Sequence, residues 1–480
     1  MNKRMTAYII GVLLLAEAGL MLLPMVVALS YREWICACSY VFTAGLLAAI
    51  SYFLIRLRVN TRTIYSREGL VAVALGWVVL SLGGSLPFVF SGEIPSFVDA
   101  FFETVSGFTT TGASILTDVE MLSKSNLFWR SFTHWVGGMG VLVFVMMTQS
   151  LSSGGGDIHL MRSESTGPSV SKLVPRSRAT AKYLYSIYLV ITLLEFVLLL
   201  IAGNPIFDSM LLSFGTAGTG GFGLLNSSAA TYNTATQIII TVFMALCGVN
   251  FGCYYLILTK RAKEAFRNEE LRVYFGVMVA AIAVVTVNVV DRFSNVGEAL
   301  KHAAFQVSSV MTTTGFATTD FNLWPELSRT VLLLAMIIGG CAGSTGGGMK
   351  VSRIIILCKE GYRQMKKSIS PNRVEVVRFN GKRVAPELVT SIAGFLILYV
   401  LIFVGSLLLI SLDGFDSTSN ITAVIATLNN IGPGLEMVGP TGNYAAYSGF
   451  SKLVLIFNML AGRLEILPLL AVCMPRTWRR

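Results

Sequence analysis

Apolar residues in this chain come in long runs rather than in alternation. Runs long enough to cross a bilayer, about 20 residues, recur at roughly 5–30, 36–57, 68–91, 128–151, 183–203, 232–259, 271–291, 328–358, 387–413 and 450–474. Polar connections separate them, and basic residues gather in every second one: 56–67, 162–182, 260–272, 350–383 and the tail 476–480. Positive charge on alternate connections marks cytoplasmic loops, so the pattern predicts about ten crossings with both termini inside. The first run follows MNKR, is too long for the apolar core of a signal peptide and lacks a small-residue cleavage site, so it reads as a retained helix.

The external connections break the pattern. Four of them begin with an amphipathic stretch too short to span: PSFVDAFFETVSGF, NPIFDSMLLSFG, VGEALKHAAFQVSSV and FDSTSNITAVIATL. Each runs into a glycine-bearing irregular segment, TTTGAS at 109–114, GTAGTGGFG at 215–223, TTTGFATTD at 312–320 and NNIGPG at 429–434, before a returning helix. Aligning the segments pairs Gly112, Gly220, Gly315 and Gly432. Such an internal repeat governs the fold. It predicts an all-α polytopic membrane protein of four pseudo-repeats, each a helix, a re-entrant pore helix, a filter segment and a helix around a central pore. The expected divisions are two leading helices at 1–60 and pore repeats at 61–155, 156–262, 263–360 and 361–480.

Non-helical backbone at membrane depth is tolerated only where protein buries it or water reaches it. Any single Thr-Gly segment reads as a surface turn. Four in register satisfy the membrane constraint together, by converging on one axis where carbonyl oxygens replace the hydration shell of a cation. Glycine keeps side chains out of the path. Half-helices entering from outside also aim their partly negative C-termini at the ion. The residues expected to line such a filter are Thr110, Thr111 and Gly112; Gly218, Thr219 and Gly220; Thr313, Thr314 and Gly315; and Asn430, Ile431 and Gly432. Of these, Thr111, Gly112, Thr219, Gly220, Thr314, Gly315, Ile431 and Gly432 are the expected K+ ligands.

TTTGAS, TTTGFATTD and the later GGCAGSTGGGMKVSR resemble the potassium-uptake membrane subunits of bacterial Trk systems (TrkH-like), in the Trk/Ktr/HKT superfamily, and the likeness extends over essentially the whole chain. The resemblance implies K+ as the transported ion, a homodimer with one pore per protomer, and a bacterial inner-membrane location. It also implies a cytosolic nucleotide-binding ring of the TrkA type that senses ATP or ADP, with no organic cofactor in this chain. Glycine at all four filter positions is the pattern associated with potassium preference. The second segment reads AGTG and the fourth NNIG with Pro433 following, so the expected filter is asymmetric.

The run 328–358 is interrupted by GGCAGSTGGGMK. Glycines cost a helix about 1 kcal/mol each relative to alanine, so the helix breaks there. In the family the matching loop lies beneath the filter and obstructs the inner pore. This assigns Gly343, Ser344, Thr345, Gly346, Gly347 and Gly348 to a movable gate. Their spacing also resembles a phosphate loop, but Met349 occupies the lysine position and no strand precedes it. Arg463, within the last apolar run, is costly in a membrane helix. The family places an arginine on this helix near the gate. The competing reading is snorkelling toward the interface, or pairing with Glu465.

Composition excludes most other classes. The chain has 480 residues, 54% hydrophobic and 13% charged, with mean hydropathy +0.68, which leaves too little charge for a soluble surface. The net charge of +11 is explained by the cytoplasmic connections, attraction to membrane lipid included, rather than by nucleic acid. Seven cysteines and the histidines His134, His159 and His302 fit no metal or disulfide spacing. Glu17 and Glu195 fall in mid-helix and Glu103 in the first pore helix, where it is expected to stabilise the filter or outer mouth. Asp99, Asp118, Glu120, Asp208, Asp320, Asp413, Asp416 and Glu436 fall on the outer side. The connections 152–182 and 350–386 are where a regulator would dock. The alternative is a symporter coupling K+ to H+ or Na+; a membrane-embedded enzyme lacks the clustered acid, base or metal groups it would need.

Overall fold

Apolar length decides which segments cross and which only enter. In a computed structural model describing residues 3–57, 66–140, 177–372 and 375–478, the protein is helical almost throughout. α1 (Lys3–Leu20) and α2 (Leu22–Ser30) make one leading span and α3 (Trp34–Arg56) a second. The first unit follows as α4 (Ser66–Ser91), α5 (Phe97–Phe108) and α6 (Lys124–Gly138). The second holds α7 (Ser177–Ile201), α8 (Ile206–Gly218), α9 (Thr234–Cys247) and α10 (Phe251–Leu258), with α11 (Ala262–Phe266) as a single-turn link. The third is α12 (Glu269–Val289), α13 (Val296–Met311), α14 (Glu326–Ile338) and α15 (Val351–Ile369). A two-residue hairpin, β1 (Arg378–Phe379) with β2 (Lys382–Arg383), precedes the fourth: α16 (Pro386–Ile410), α17 (Ser417–Leu428), α18 (Gly449–Arg463), α19 (Leu467–Cys473) and α20 (Pro475–Trp478).

The short helices α5, α8, α13 and α17 are the re-entrant elements. Three of them start on a residue type that favours helix entry, with Ser96, Asn295 and Asp416 accepting from the backbone N–H three residues on. They sit inside the protein; every residue of α5 from Ala100 to Phe108 is buried. By contrast Ile35, Phe53 and Leu408 are about 70% exposed, as suits lipid-facing helices.

The units close on themselves. Each returning helix packs on the next unit's pore helix: α6 on α8, α9 on α13, α14 on α17, and α18 back on α5. An Asp99–Lys452 ion pair at 2.6 Å joins the last pair, between residues 353 positions apart in the chain.

Three of the expected spans are interrupted, and a fourth, 328–358, breaks where its glycines place the break. Among the described residues, six helices are long and apolar enough to cross unaided. In the run 128–151 a helix ends at Gly138, and residues 141–151 lie outside the described residues. The run 232–259 bends by 90° between α9 and α10, at Gly248–Asn250. The run 328–358 stops at Ile338 and restarts at Val351, and α15 is amphipathic, carrying Lys359, Arg363 and Lys366. The run 450–474 breaks at Leu464–Ile466, where Glu465 and Ile466 take left-handed φ of 57° and 67°. Hydropathy is blind to the breaks in 232–259 and 450–474 because the apolar character continues on both sides of them. The expected docking loop 350–386 is largely helix and hairpin, while 152–176 lies outside the described residues.

Candidate functional site

All four pore helices end alike. The N–H groups of Thr111, Gly220, Thr314 and Ile431 reach back five residues, to the carbonyls of Ser106 (2.9 Å), Gly215, Ser309 and Ala426 (2.8 Å each). The residues just before them, Thr110, Thr219, Thr313 and Asn430, are left-handed with φ of 54–58°. Their own N–H groups bond three residues back, to Gly107, Thr216, Val310 and Thr427. This is the Schellman closure, usually built on glycine. A threonine there costs roughly 1–2 kcal/mol, which the surrounding packing must offset.

Two residues past each left-handed residue comes a glycine, also at positive φ: Gly112 (78°), Gly221 (74°), Gly315 (91°) and Gly432 (94°). A Cβ on Gly112 would overlap the carbonyl oxygen of Gly220, one on Gly221 that of Thr314, and one on Gly315 that of Ile431. On Gly432 it would sit 2.7 Å from the Thr111 oxygen. Each glycine therefore abuts the next segment's carbonyl, and the sequence of contacts closes into a ring. All four line one outward-opening cavity of about 130 Å³.

The second segment's register is corrected by one residue. The structural equivalents of Thr110, Thr111 and Gly112 are Thr219, Gly220 and Gly221, not Gly218, Thr219 and Gly220. Gly220 faces elsewhere, and a Cβ there would meet the His134 ring. A signal for this register lies in the sequence: Phe222 follows Gly221 as Phe316 follows Gly315. The left-handed positions are then three threonines and one asparagine, a more regular set than TTTG against AGTG implies.

Buried groups brace the ring from behind. Glu103 on α5 pairs with Arg130 on α6 at 2.7 Å, both side chains almost fully buried. Glu103 also accepts from the Ser114 hydroxyl and Ile115 N–H, just beyond Gly112. Arg130 donates to Gly223 O and lies 4.0 Å over the Phe222 ring, so one ion pair fixes two filter segments. Sequence reading singled out Glu103 and missed Arg130, whose charge within an apolar run was a signal of the same kind as Arg463. His134 Nδ1 bonds to Gly107 O at 2.8 Å behind the first pore helix. In the fourth segment, Asn430 donates across the ring to Thr111 Oγ1 at 2.9 Å, and the Tyr444 hydroxyl donates to Gly432 O at 2.7 Å.

The break after α14 forms a loop on the inner side of these helix ends. Gly339, Gly343, Gly348 and Lys350 take positive φ. Gly347 N–H donates to Thr313 Oγ1 at 2.6 Å and Gly348 N–H to Asn429 O at 3.1 Å, tying the loop to the filter's base. It also rests on the α9 break: Cys341 N–H donates to Gly248 O, and Phe251 N–H to Gly343 O. Arg463 donates to Thr345 O at 2.8 Å and to Gly137 and Gly138 carbonyls at the end of α6. Lys350 Nζ, which sequence reading passed over, donates to Gly346 O. Glu465 pairs with Arg353 rather than with Arg463. A cavity of about 10 Å³ remains among Gly346, Lys350, Tyr399, Asn429, Arg463 and Glu465, room for about one water.

Most of the outer acidic residues are engaged. Glu436 pairs with Arg329, Asp208 accepts from Tyr232, Asp320 and Asp416 cap helices, and Asp413 accepts from Ser448 N–H. Asp118 and Glu120 both bind Asn226, tying the first two outer loops. Glu17 and Glu195 are buried, with no hydrogen-bond partner for either carboxylate among the described residues. His302 bonds to Thr318 Oγ1, and His159 lies outside the described residues.

A family model described as "TrkH: Cation transport protein" matches residues 40–477. The Trk system potassium uptake protein TrkH of Salmonella typhimurium (strain LT2) is 38% identical over 491 residues, covering 100% of both chains. The protein of that name from Escherichia coli (strain K12) is 37% identical over the full length of both. The crystal structure of the potassium transporter TrkH from Vibrio parahaemolyticus is similar with a TM-score of 0.88 at 34% identity, each chain covered completely.

Proposed function

The chain belongs to the TrkH family of cation transport proteins, and on that premise we propose that it takes potassium ions into the cell through a channel-like pore with a four-segment filter and an intramembrane gate. One observation carries the reading: the cyclic contact of Gly112, Gly221, Gly315 and Gly432 with the carbonyls of Gly220, Thr314, Ile431 and Thr111. Backbone oxygens gathered this closely from four directions suit a dehydrated monovalent cation, and the four pore-helix C-termini add negative potential behind them. In this reading the potassium ligands are the carbonyls of Thr111, Gly112, Gly220, Gly221, Thr314, Gly315, Ile431 and Gly432.

Beneath the filter, Gly343–Gly348 obstruct the path and Arg463 holds the obstruction by its carbonyls while its charge repels the ion. Two leading helices and four pore units make up the chain. It sits in the cytoplasmic membrane with both termini inside, works as a homodimer, and is opened by a cytosolic nucleotide-binding ring that docks near α15 and the β1–β2 hairpin and reads ATP or ADP. The test is rubidium uptake into proteoliposomes with potassium or sodium competing. Potassium should compete and sodium should not, and equal competition by both would overturn the filter assignment.

A further inference from the structure

Both ends of the inner loop converge on one oxygen atom. Glu270, the second residue of α12, is 3% exposed. Its Oε1 accepts the Ala342 N–H at 2.6 Å and the Ser352 N–H at 3.1 Å. The chain between those two amides, 343–351, contains every residue assigned to the gate. We propose that Glu270 is the positioning residue that clasps this loop in its obstructing form, an inference that rests on reading the loop as a gate.

Three features make a carboxylate at this place more than incidental packing. First, α15 enters without a side-chain cap of its own, because its N-cap residue Lys350 sits at φ 70° and makes none. Glu270 supplies the missing acceptor from another helix, at an N-terminus whose dipole favours negative charge. Second, Glu270 is itself in the first turn of α12, so two helix N-termini face the same carboxyl group. Third, the loop's middle is held by cations and amides at separate points, through Arg463, Lys350, Thr313 and Asn429. Among the described residues, Glu270 is the one side chain that accepts from both ends. The ends are also bonded to each other directly, Met349 N–H to Ile337 O and Val351 N–H to Gly340 O, so loss of the shared acceptor leaves two buried amides unpaired and loosens both hinges without releasing them. Sequence reading missed Glu270 because it lies at the boundary of an ordinary-looking span.

The test compares Glu270→Ala and Glu270→Gln in the full chain. Glutamine keeps a carbonyl oxygen that can accept both amides; alanine keeps none. Hydrogen exchange across 339–352 should speed up about tenfold in Glu270→Ala and stay near wild type in Glu270→Gln. Rubidium flux without the regulatory ring should rise severalfold in Glu270→Ala alone, with rubidium-over-sodium discrimination unchanged, because the filter is untouched. Unchanged exchange in Glu270→Ala overturns the clasp. Faster exchange with unchanged flux overturns its gating role if shortening Gly343–Gly348 does raise flux; if neither raises flux, the gate reading itself fails. Discrimination lost together with closure means general damage to the pore and overturns the positioning role. Glu270→Asp, one methylene short of reaching both amides, gives milder versions of the same readouts where the alanine variant does not fold.

Discussion

One methyl group is enough to break the ring of glycine–carbonyl contacts, and where it is added decides how. A Cβ at Gly221 would strike the carbonyl of Thr314, which is backbone and cannot withdraw. A Cβ at Gly220 would strike the ring of His134, a side chain that can be removed. Rubidium uptake should therefore be lost in both Gly221→Ala and Gly220→Ala, and His134→Ala should partly restore only the second. Rescue of both, or of neither, would count against the corrected register. Gly315→Ser pushes its added atoms into the space held by Ile431 O, again backbone, so rubidium uptake should fall steeply and the residual flux should discriminate less against sodium, read by competition. Arg130→Met leaves Glu103 buried without its counter-charge. Loss of one partner from such a pair costs about 3–5 kcal/mol, so thermal stability in detergent should fall clearly. Arg463 was legible as an expensive charge in an apolar helix, but its partners were not: carbonyls of Thr345, Gly137 and Gly138 leave no mark in a sequence.

Pore helices were legible as elements, since a dozen amphipathic residues between two spans have few other homes. Their common ending was not, because the Schellman closure here is built on threonine and asparagine instead of glycine. The breaks in the returning helices divide the same way. Six glycines between 339 and 348 announce one of them. The break at Leu464–Ile466 has no glycine at all; Ile466 N–H closes onto Ala461 O at 2.7 Å while Arg353 holds Glu465. A β-branched residue at positive φ is tertiary structure overriding local preference. At this scale, removing Gly346 and Gly347 should raise rubidium flux in the absence of any regulator, and unchanged flux from well-folded protein would remove the loop's gating role. Asp416→Ala takes the cap from α17 and should cost about 1 kcal/mol of stability. Hydrogen bonds from the Ser419 hydroxyl and N–H hold the Asp416 carboxyl below the usual carboxylate range. That contribution is therefore present at neutral pH and fades only as acid titrates the folded state's lowered value.

Across the whole molecule, uptake through such a pore draws on the membrane potential, about 2.3 kcal/mol per charge for each 100 mV. The reversal potential in proteoliposomes should follow the potassium gradient alone. A shift with an imposed pH or sodium gradient would favour the coupled symporter instead. The closure of α18 onto α5 has a bearing on how the protein is made. The first quarter's pore helix waits for a partner that begins at Gly449, and Lys452 must travel back to Asp99. Until α18 has been made, the α5 face that it covers, next to the buried Glu103, Thr104 and Ser106, has no partner on that side. A chain stopped before α18 should therefore carry no rubidium at all, since the circle of four units is held shut by its last quarter.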